Sequence, residues 1–209
     1  MKLYIAPRAP NPRRVQMFLI EKGIDPSAQG IELVHVDLNA QEHKSEAFRA
    51  KSPLARIPAL EFGDGRVLTE TRAICTWLEG AYPEPNLMGV DATERAFIEM
   101  ADRRVEWYFM LPIGQCVRHT HPGLAPLEQP QFPEFGRSQG EKMRETAVWL
   151  DRELQRQPWI AGERFTIADI TAFCALEFAR LMRFQAGEQG LPALQAWRDR
   201  VAQRPSAKA

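Results

Sequence analysis

Residues 55–71 read Ala55-Arg56-Ile57-Pro58-Ala59-Leu60-Glu61-Phe62-Gly63-Asp64-Gly65-Arg66-Val67-Leu68-Thr69-Glu70-Thr71. Two short apolar runs, Ala59 to Phe62 and Arg66 to Leu68, flank Gly63-Asp64-Gly65. Glycines around an aspartate supply the positive-φ positions of a tight turn, so the stretch reads as an antiparallel hairpin. Thr69 is placed to cap a following helix with Ile74, Trp77 and Leu78 on one face, ending near Tyr82-Pro83.

Working outward toward the N-terminus, Ser45 to Lys51 suits a short helix, and Ile31 to Val36 a strand. Asn11-Pro12 reads as an N-cap followed by a first-turn proline. Val15, Phe18 and Leu19 follow at helical spacing, Gly23 closes the helix, and Lys2 to Ala6 is a first strand. The order β-α-β-α-β-β-α is a small α/β layer over residues 1–83. Pro83-Glu84-Pro85-Asn86 opens a linker over 84–89, and no strand is predicted from residue 90 to 209.

That second region carries helical periodicity over Ala92 to His119, with Phe97, Met100, Ala101, Arg104 and Tyr108 recurring at helical spacing. A Pro-rich loop follows from Pro122 to Pro133. A second helix runs from Phe135 to Gln157 on a stripe of Met143, Ala147, Leu150 and Leu154. Phe165 to Phe184 is nearly all apolar, as a central buried helix is, and Leu191 to Gln203 is a last short helix.

Composition narrows the partners. The chain of 209 residues holds 27 Lys+Arg against 27 Asp+Glu, so no net charge draws it to nucleic acid or an anionic membrane. No run approaches the roughly 18 apolar residues of a membrane span. The N-terminus lacks the apolar core of a signal peptide, so the cytoplasm is the expected location. Cys75, Cys116 and Cys174 are odd in number and widely spaced, which disfavours a disulfide framework, a zinc site or a dithiol centre. No metal is expected.

Four local sequences, in order along nearly the whole chain, resemble the glutathione transferase family. Ala55 to Leu60 resembles the strand entry of thioredoxin-like folds, where the proline follows a cis bond. Thr69-Glu70-Thr71-Arg72-Ala73-Ile74 is similar to the family's Glu-Ser/Thr-x-Ala-Ile element. Thr166-Ile167-Ala168-Asp169 resembles its buried capping box, and Pro7 to Lys22 the opening of bacterial members. The resemblance implies a thioredoxin-like α/β N-terminal domain joined to an all-α C-terminal domain.

It also implies a ligand, glutathione, taken as co-substrate. Ile57, turned outward by Pro58, would pair its backbone with the tripeptide's cysteinyl unit as an added strand does. The γ-glutamyl end carries an ammonium and a carboxylate; Glu70 suits the first, and the helix terminus at Thr71 the second. Lys44, rather than His43, suits the glycyl carboxylate because its charge is constant near neutrality. Arg56 is a further candidate.

The thiol activator departs from the family pattern. Transferases favour the thiolate with a Tyr, Ser or Cys after the first strand, since a free thiol near pKa 8.5 is mostly protonated. Here the matching positions are Ala6, Ala9 and Pro10. Asn11 is the remaining candidate catalytic residue, with its amide donating to sulfur, and it serves equally as a plain helix cap. The first helix's terminal amides, with Arg13 or Arg14, are the other source of positive potential. Trp107, Tyr108, Met110, Leu111 and Gln115 are candidates for a second-substrate pocket.

The expected function is glutathione transfer to a small electrophile by a cytoplasmic homodimer, with Asp102, Arg103 and Arg72 as candidate interface charges. Alternatives on the same scaffold are glutathione-dependent peroxidase or isomerase chemistry, or a non-catalytic glutathione-binding or regulatory protein.

Overall fold

A computed structural model of the chain describes residues 1–7 and 9–209; Arg8, inside the opening segment, lies outside them. Strand β1 (Lys2–Ile5) pairs in parallel with β2 (Glu32–His35) and antiparallel with β3 (Ala59–Glu61). Strand β3 continues antiparallel into β4 (Val67–Thr69), giving the order β2-β1-β3-β4. The hairpin predicted around Gly63-Asp64-Gly65 is the β3–β4 connection, with Gly65 at φ 85°. Helices α1 (Pro10–Glu21), α2 (Glu46–Arg49) and α3 (Thr71–Ala81) complete this layer.

Strand alternation sorts the side chains. Tyr4, Val36 and Ala59 meet Phe48 of α2 on one face. Leu3 and Ile5 point to the other, where α1 packs against β1 and α3. Val15, Met17, Phe18 and Leu19 of α1, and Ile74, Cys75 and Leu78 of α3, are buried. The whole is a thioredoxin-like sheet with helices, followed by helices alone.

The chain divides into two compact units, residues 1–86 with 205–209, and residues 87–204. Residues 205–209 pack along α1: Arg13 donates to the carbonyls of Ala207 at 2.7 Å and Ala209 at 3.1 Å. Ser206 bonds Glu21 near the other end of that helix.

The second unit contains α4 (Ala92–Val105), α5 (Leu111–Thr120), α6 (Pro133–Leu154), α7 (Ile167–Ala179) and α8 (Pro192–Ala202). Helix α7 is buried along nearly its whole length. Its first turn is a capping box: Asp169 accepts the Thr166 N–H at 2.9 Å, and the Thr166 hydroxyl accepts from the Ala168 N–H at 3.3 Å. Asp169 also accepts the Ile160 N–H at 3.0 Å and the Trp197 indole N–H at 2.9 Å. Burial raises its carboxyl to a pKa of about 6, although these donors all pull the other way.

Two expectations for the long helix are corrected. Residues 92–120 do not form one α-helix; a π-helical turn, Glu106–Met110, separates α4 from α5. Pro112 supplies the cause, because it has no N–H to offer the Tyr108 carbonyl four residues earlier. The Thr146 hydroxyl on α6 donates to that carbonyl at 2.8 Å. The recurring positions Phe97, Met100 and Tyr108 form an exposed face, while Ile98, Asp102, Val105 and Phe109 face the core. Asp102 is fully buried and accepts the Thr171 hydroxyl at 2.5 Å, so it is not a surface interface charge.

Candidate functional site

Register alone gathers one end of the sheet. Ala59 lies opposite both Tyr4 and Thr69. The residues before β3, the residues after β4 and those after β1 therefore emerge at a common edge. Ile57 and Pro58 enter there, α3 starts there with Glu70 and Thr71, and α1 starts there with Asn11. Strand β2 runs parallel to β1, so the connection that carries Lys44 leaves from the same edge.

The Ile57–Pro58 peptide bond is cis. Among the described residues no hydrogen bond reaches the Ile57 N–H or C=O, although strand pairing resumes two residues later at Ala59. An unpaired N–H and C=O at the head of a strand are the groups that an added extended segment uses.

Glu70, not Thr69, is the N-cap of α3, and it sits at φ 69°, ψ 122°. Left-handed backbone at a residue with a Cβ costs on the order of 1–2 kcal/mol, so the surrounding structure holds it there. Its carboxylate makes no capping bond and is exposed. Thr71 is only 7% exposed, and no partner for its hydroxyl occurs among the described residues. The Thr71 and Ala73 N–H groups are first-turn donors without helical acceptors; the ladder begins with Ile74 bonding the Glu70 carbonyl at 3.0 Å. An anion acceptor and a cation acceptor therefore sit side by side.

At α1 the sequence expectation shifts. The N-cap is Ala9, with no side-chain cap, so Asn11 is the second helical residue between Pro10 and Pro12 rather than the cap. Prolines are tolerated throughout a first turn, and this let the helix start two residues earlier. They also remove donors. The Ala9 N–H bonds the Ala6 carbonyl at 3.4 Å, and the Arg13 N–H bonds the Ala9 carbonyl at 3.2 Å. Pro10 and Pro12 have no N–H, so Asn11 offers the one open backbone donor of this turn among the described residues.

Arg14 Nη1 donates to the Asn11 side-chain oxygen at 3.4 Å, which leaves the amide –NH2 as the outward group. Arg13 is committed to the 205–209 segment and Arg14 is buried, so neither guanidinium stands open at the terminus. Tyr4 does not substitute: its hydroxyl donates to Glu61 at 2.5 Å, and Lys51 binds the same carboxylate at 2.8 Å. Burial and then the Glu61 carboxylate hold the phenol above its ordinary pKa.

His43 is buried and Lys44 exposed, both within a 3₁₀ turn, Glu42–Lys44. In the helical unit the five pocket candidates separate. Trp107, Tyr108 and Leu111 are exposed, Gln115 is half-buried, and Met110 is 8% exposed and belongs to the core. The π-helical turn sets this split by inserting a residue between the α4 and α5 registers.

Sequence reading gave no role to Ser52 and did not mark the left-handed backbone of Ala55. Ser52 is 1% exposed, and its hydroxyl both donates to the Arg56 carbonyl and accepts from the Arg56 N–H. The available signal was Ser52-Pro53 directly before the Ile57-Pro58 strand entry; left-handed Ala55, at φ 53°, has none.

Comparison with known proteins gives a consistent result. Residues 3–86 match the glutathione S-transferase N-terminal domain and residues 116–205 the C-terminal domain. The chain is 35% identical over 209 residues to glutathione S-transferase 2 of Saccharomyces cerevisiae, covering 100% of this chain and 88% of that one. Among solved structures it is similar to a glutathione S-transferase domain-containing protein of Marinobacter aquaeolei VT8. That match has 40% identity and a TM-score of 0.91, covering 99% of each chain. It is also similar to Gtt2 from Saccharomyces cerevisiae, at 34% identity and a TM-score of 0.92, covering 100% of this chain and 99% of that one.

Proposed function

The chain belongs to the glutathione S-transferase family, and from that premise we propose that it conjugates the glutathione thiolate to a small electrophile. The observation that carries this reading is the sheet edge where Ile57, Glu70 and Thr71 all present polar groups without partners among the described residues. Ile57 pairs with the cysteinyl backbone, Thr71 and its helix terminus take the γ-glutamyl carboxylate, and Glu70 takes the ammonium. Lys44 takes the glycyl carboxylate. The sulfur then lies toward the start of α1, where the Asn11 N–H and –NH2 are the donors.

Donors that meet developing negative charge favour thiolate over thiol, and holding the nucleophile in place removes part of the entropic barrier to attack. Trp107, Tyr108, Leu111 and Gln115 supply apolar and polar surface for the electrophile. The exposed apolar face of Phe97 and Met100 on α4 supports a homodimer. We also assign the protein to the cytoplasm and to detoxification.

Glutathione consumption measured against a panel of aryl halides, enones, epoxides and hydroperoxides tests the reading. Conjugate formation with any of the first three supports transfer, and peroxide turnover alone points to a peroxidase. A specific observation favours a second reading: Ala6, Ala9 and Pro10 are inert where the family keeps its activating group. Tight glutathione binding with no turnover across the panel would make the protein a binder and reject the transferase proposal.

A further inference from the structure

Residues 52–56 form a closed loop immediately before the glutathione edge. The Ser52 N–H bonds the Phe48 carbonyl at 2.8 Å, and the Ser52 carbonyl accepts the Ala55 N–H at 2.8 Å. Its hydroxyl donates to the Arg56 carbonyl at 2.8 Å and accepts from the Arg56 N–H at 3.1 Å. A single oxygen thus satisfies both backbone groups of Arg56, and every polar group of Ser52 is used. Ala55, 7% exposed, is held at φ 53° between them. Ile57 is the next residue, and neither its N–H nor its C=O finds a partner among the described residues.

We propose that Ser52 is a positioning residue for glutathione: its buried hydroxyl fixes the Arg56 peptide groups, and through them the orientation of the Ile57 backbone that binds the tripeptide. Alanine disfavours the left-handed region, so without the hydroxyl the 52–56 loop relaxes out of it. The Ile57 N–H and C=O then rotate away from the line of an added strand, and binding must spend free energy to restore them. Residue 52 acts only through Arg56 and Ile57 and touches no reacting atom. The inference rests on Ile57 being the backbone anchor for glutathione.

Reduced glutathione titrated calorimetrically into Ser52→Ala should bind about tenfold more weakly than into wild type. KM for glutathione rises in step, while kcat at saturating glutathione and KM for the electrophile stay unchanged. Adding Ala55→Gly to Ser52→Ala should recover most of the affinity, because glycine takes φ near +53° without penalty. A merely structural role predicts the opposite pattern: lower thermal stability with unaltered KM and no rescue by glycine.

Affinity within about twofold of wild type in a folded Ser52→Ala overturns the proposal. Should that variant fail to fold, amide exchange on the wild-type protein decides. The Arg56 amide must be protected in the free protein, and the Ile57 amide must exchange fast until glutathione is added. An Arg56 amide as fast as Ile57 overturns it. Absence of glutathione binding by wild type would instead reject the anchor reading itself.

Discussion

Helices α3 and α7 each carry a threonine and an acidic residue at their start, yet their first turns finish differently. At α7 the Asp169 carboxylate accepts from Thr166, Ile160 and Trp197 and is wholly enclosed. At α3 the Glu70 carboxylate caps nothing, its backbone is held left-handed, and the Thr71 hydroxyl has no partner among the described residues. Every helix start has orphan donors, and the two satisfy them by different routes. The α7 turn closes upon its own chain and stabilises the fold. The α3 turn is left open toward solvent, which is the state expected of a terminus that completes itself with a ligand. Satisfied polar groups therefore mark architecture at α7, and the unsatisfied ones at α3 are those proposed to take the ligand.

The largest break in this comparison is Asp169→Leu. It removes the acceptor of three buried N–H groups and of the Thr166 hydroxyl, each worth roughly 1–3 kcal/mol when orphaned. A loss of at least about 3 kcal/mol in chemical denaturation is expected, with glutathione affinity per folded molecule unchanged. A smaller signature of the same carboxyl is its pH dependence. The folded pKa of about 6 lies above the ordinary aspartate value of 3.8, so the folded state binds the extra proton. Its stabilising contribution is full below about pH 4 and falls by at most about 3 kcal/mol as pH rises through 6. Urea denaturation of wild type and Asp169→Asn between these limits reads the difference; parallel curves would contradict it.

Glu70→Gly should separate the two kinds of helix start from the other side. Glycine accepts φ 69° freely, so thermal stability should hold or rise by up to about 1 kcal/mol. Glutathione affinity should fall with the loss of the carboxylate. A variant losing both stability and affinity would make Glu70 an architectural residue like Asp169.

Asn11→Ala sharpens the chemistry at α1. It should raise the pKa of the bound thiol and lower turnover by roughly tenfold, with glutathione affinity nearly intact, the pattern of an interaction made with the thiolate. Thiolate absorbance against pH reads the shift. Because Asn11 is not the N-cap, no cap loss confuses the result.

Local signals carried most of this fold. The glycine pair around Asp64, the alternation of the strands and the Thr166/Asp169 spacing are short-range, and each has a counterpart in the structure. The misreadings concern choices made by distant parts of the chain. Asn11 satisfies the local rule for an N-cap and Ala9 does not, yet α1 starts after Ala9, with Pro10 and Pro12 in its first turn. Asp102, expected as an interface charge, is buried on the side of α4 that meets Thr171 of α7, a partner distant in sequence. The turn at 106–110 was signalled by Pro112, but its acceptor is completed from Thr146, far along the sequence. The partners of Arg13 at Ala207 and Ala209 had no local mark at all.

The central claim is that the open polar groups beside Ile57 bind glutathione. Calorimetric titration of reduced glutathione into wild type, Glu70→Ala and Thr71→Ala tests it most directly. The account predicts saturable one-site binding by wild type and a loss of roughly 1.5–3 kcal/mol for Glu70→Ala, whose charge is the partner, with a smaller loss for Thr71→Ala. Equal affinity in all three proteins would contradict it.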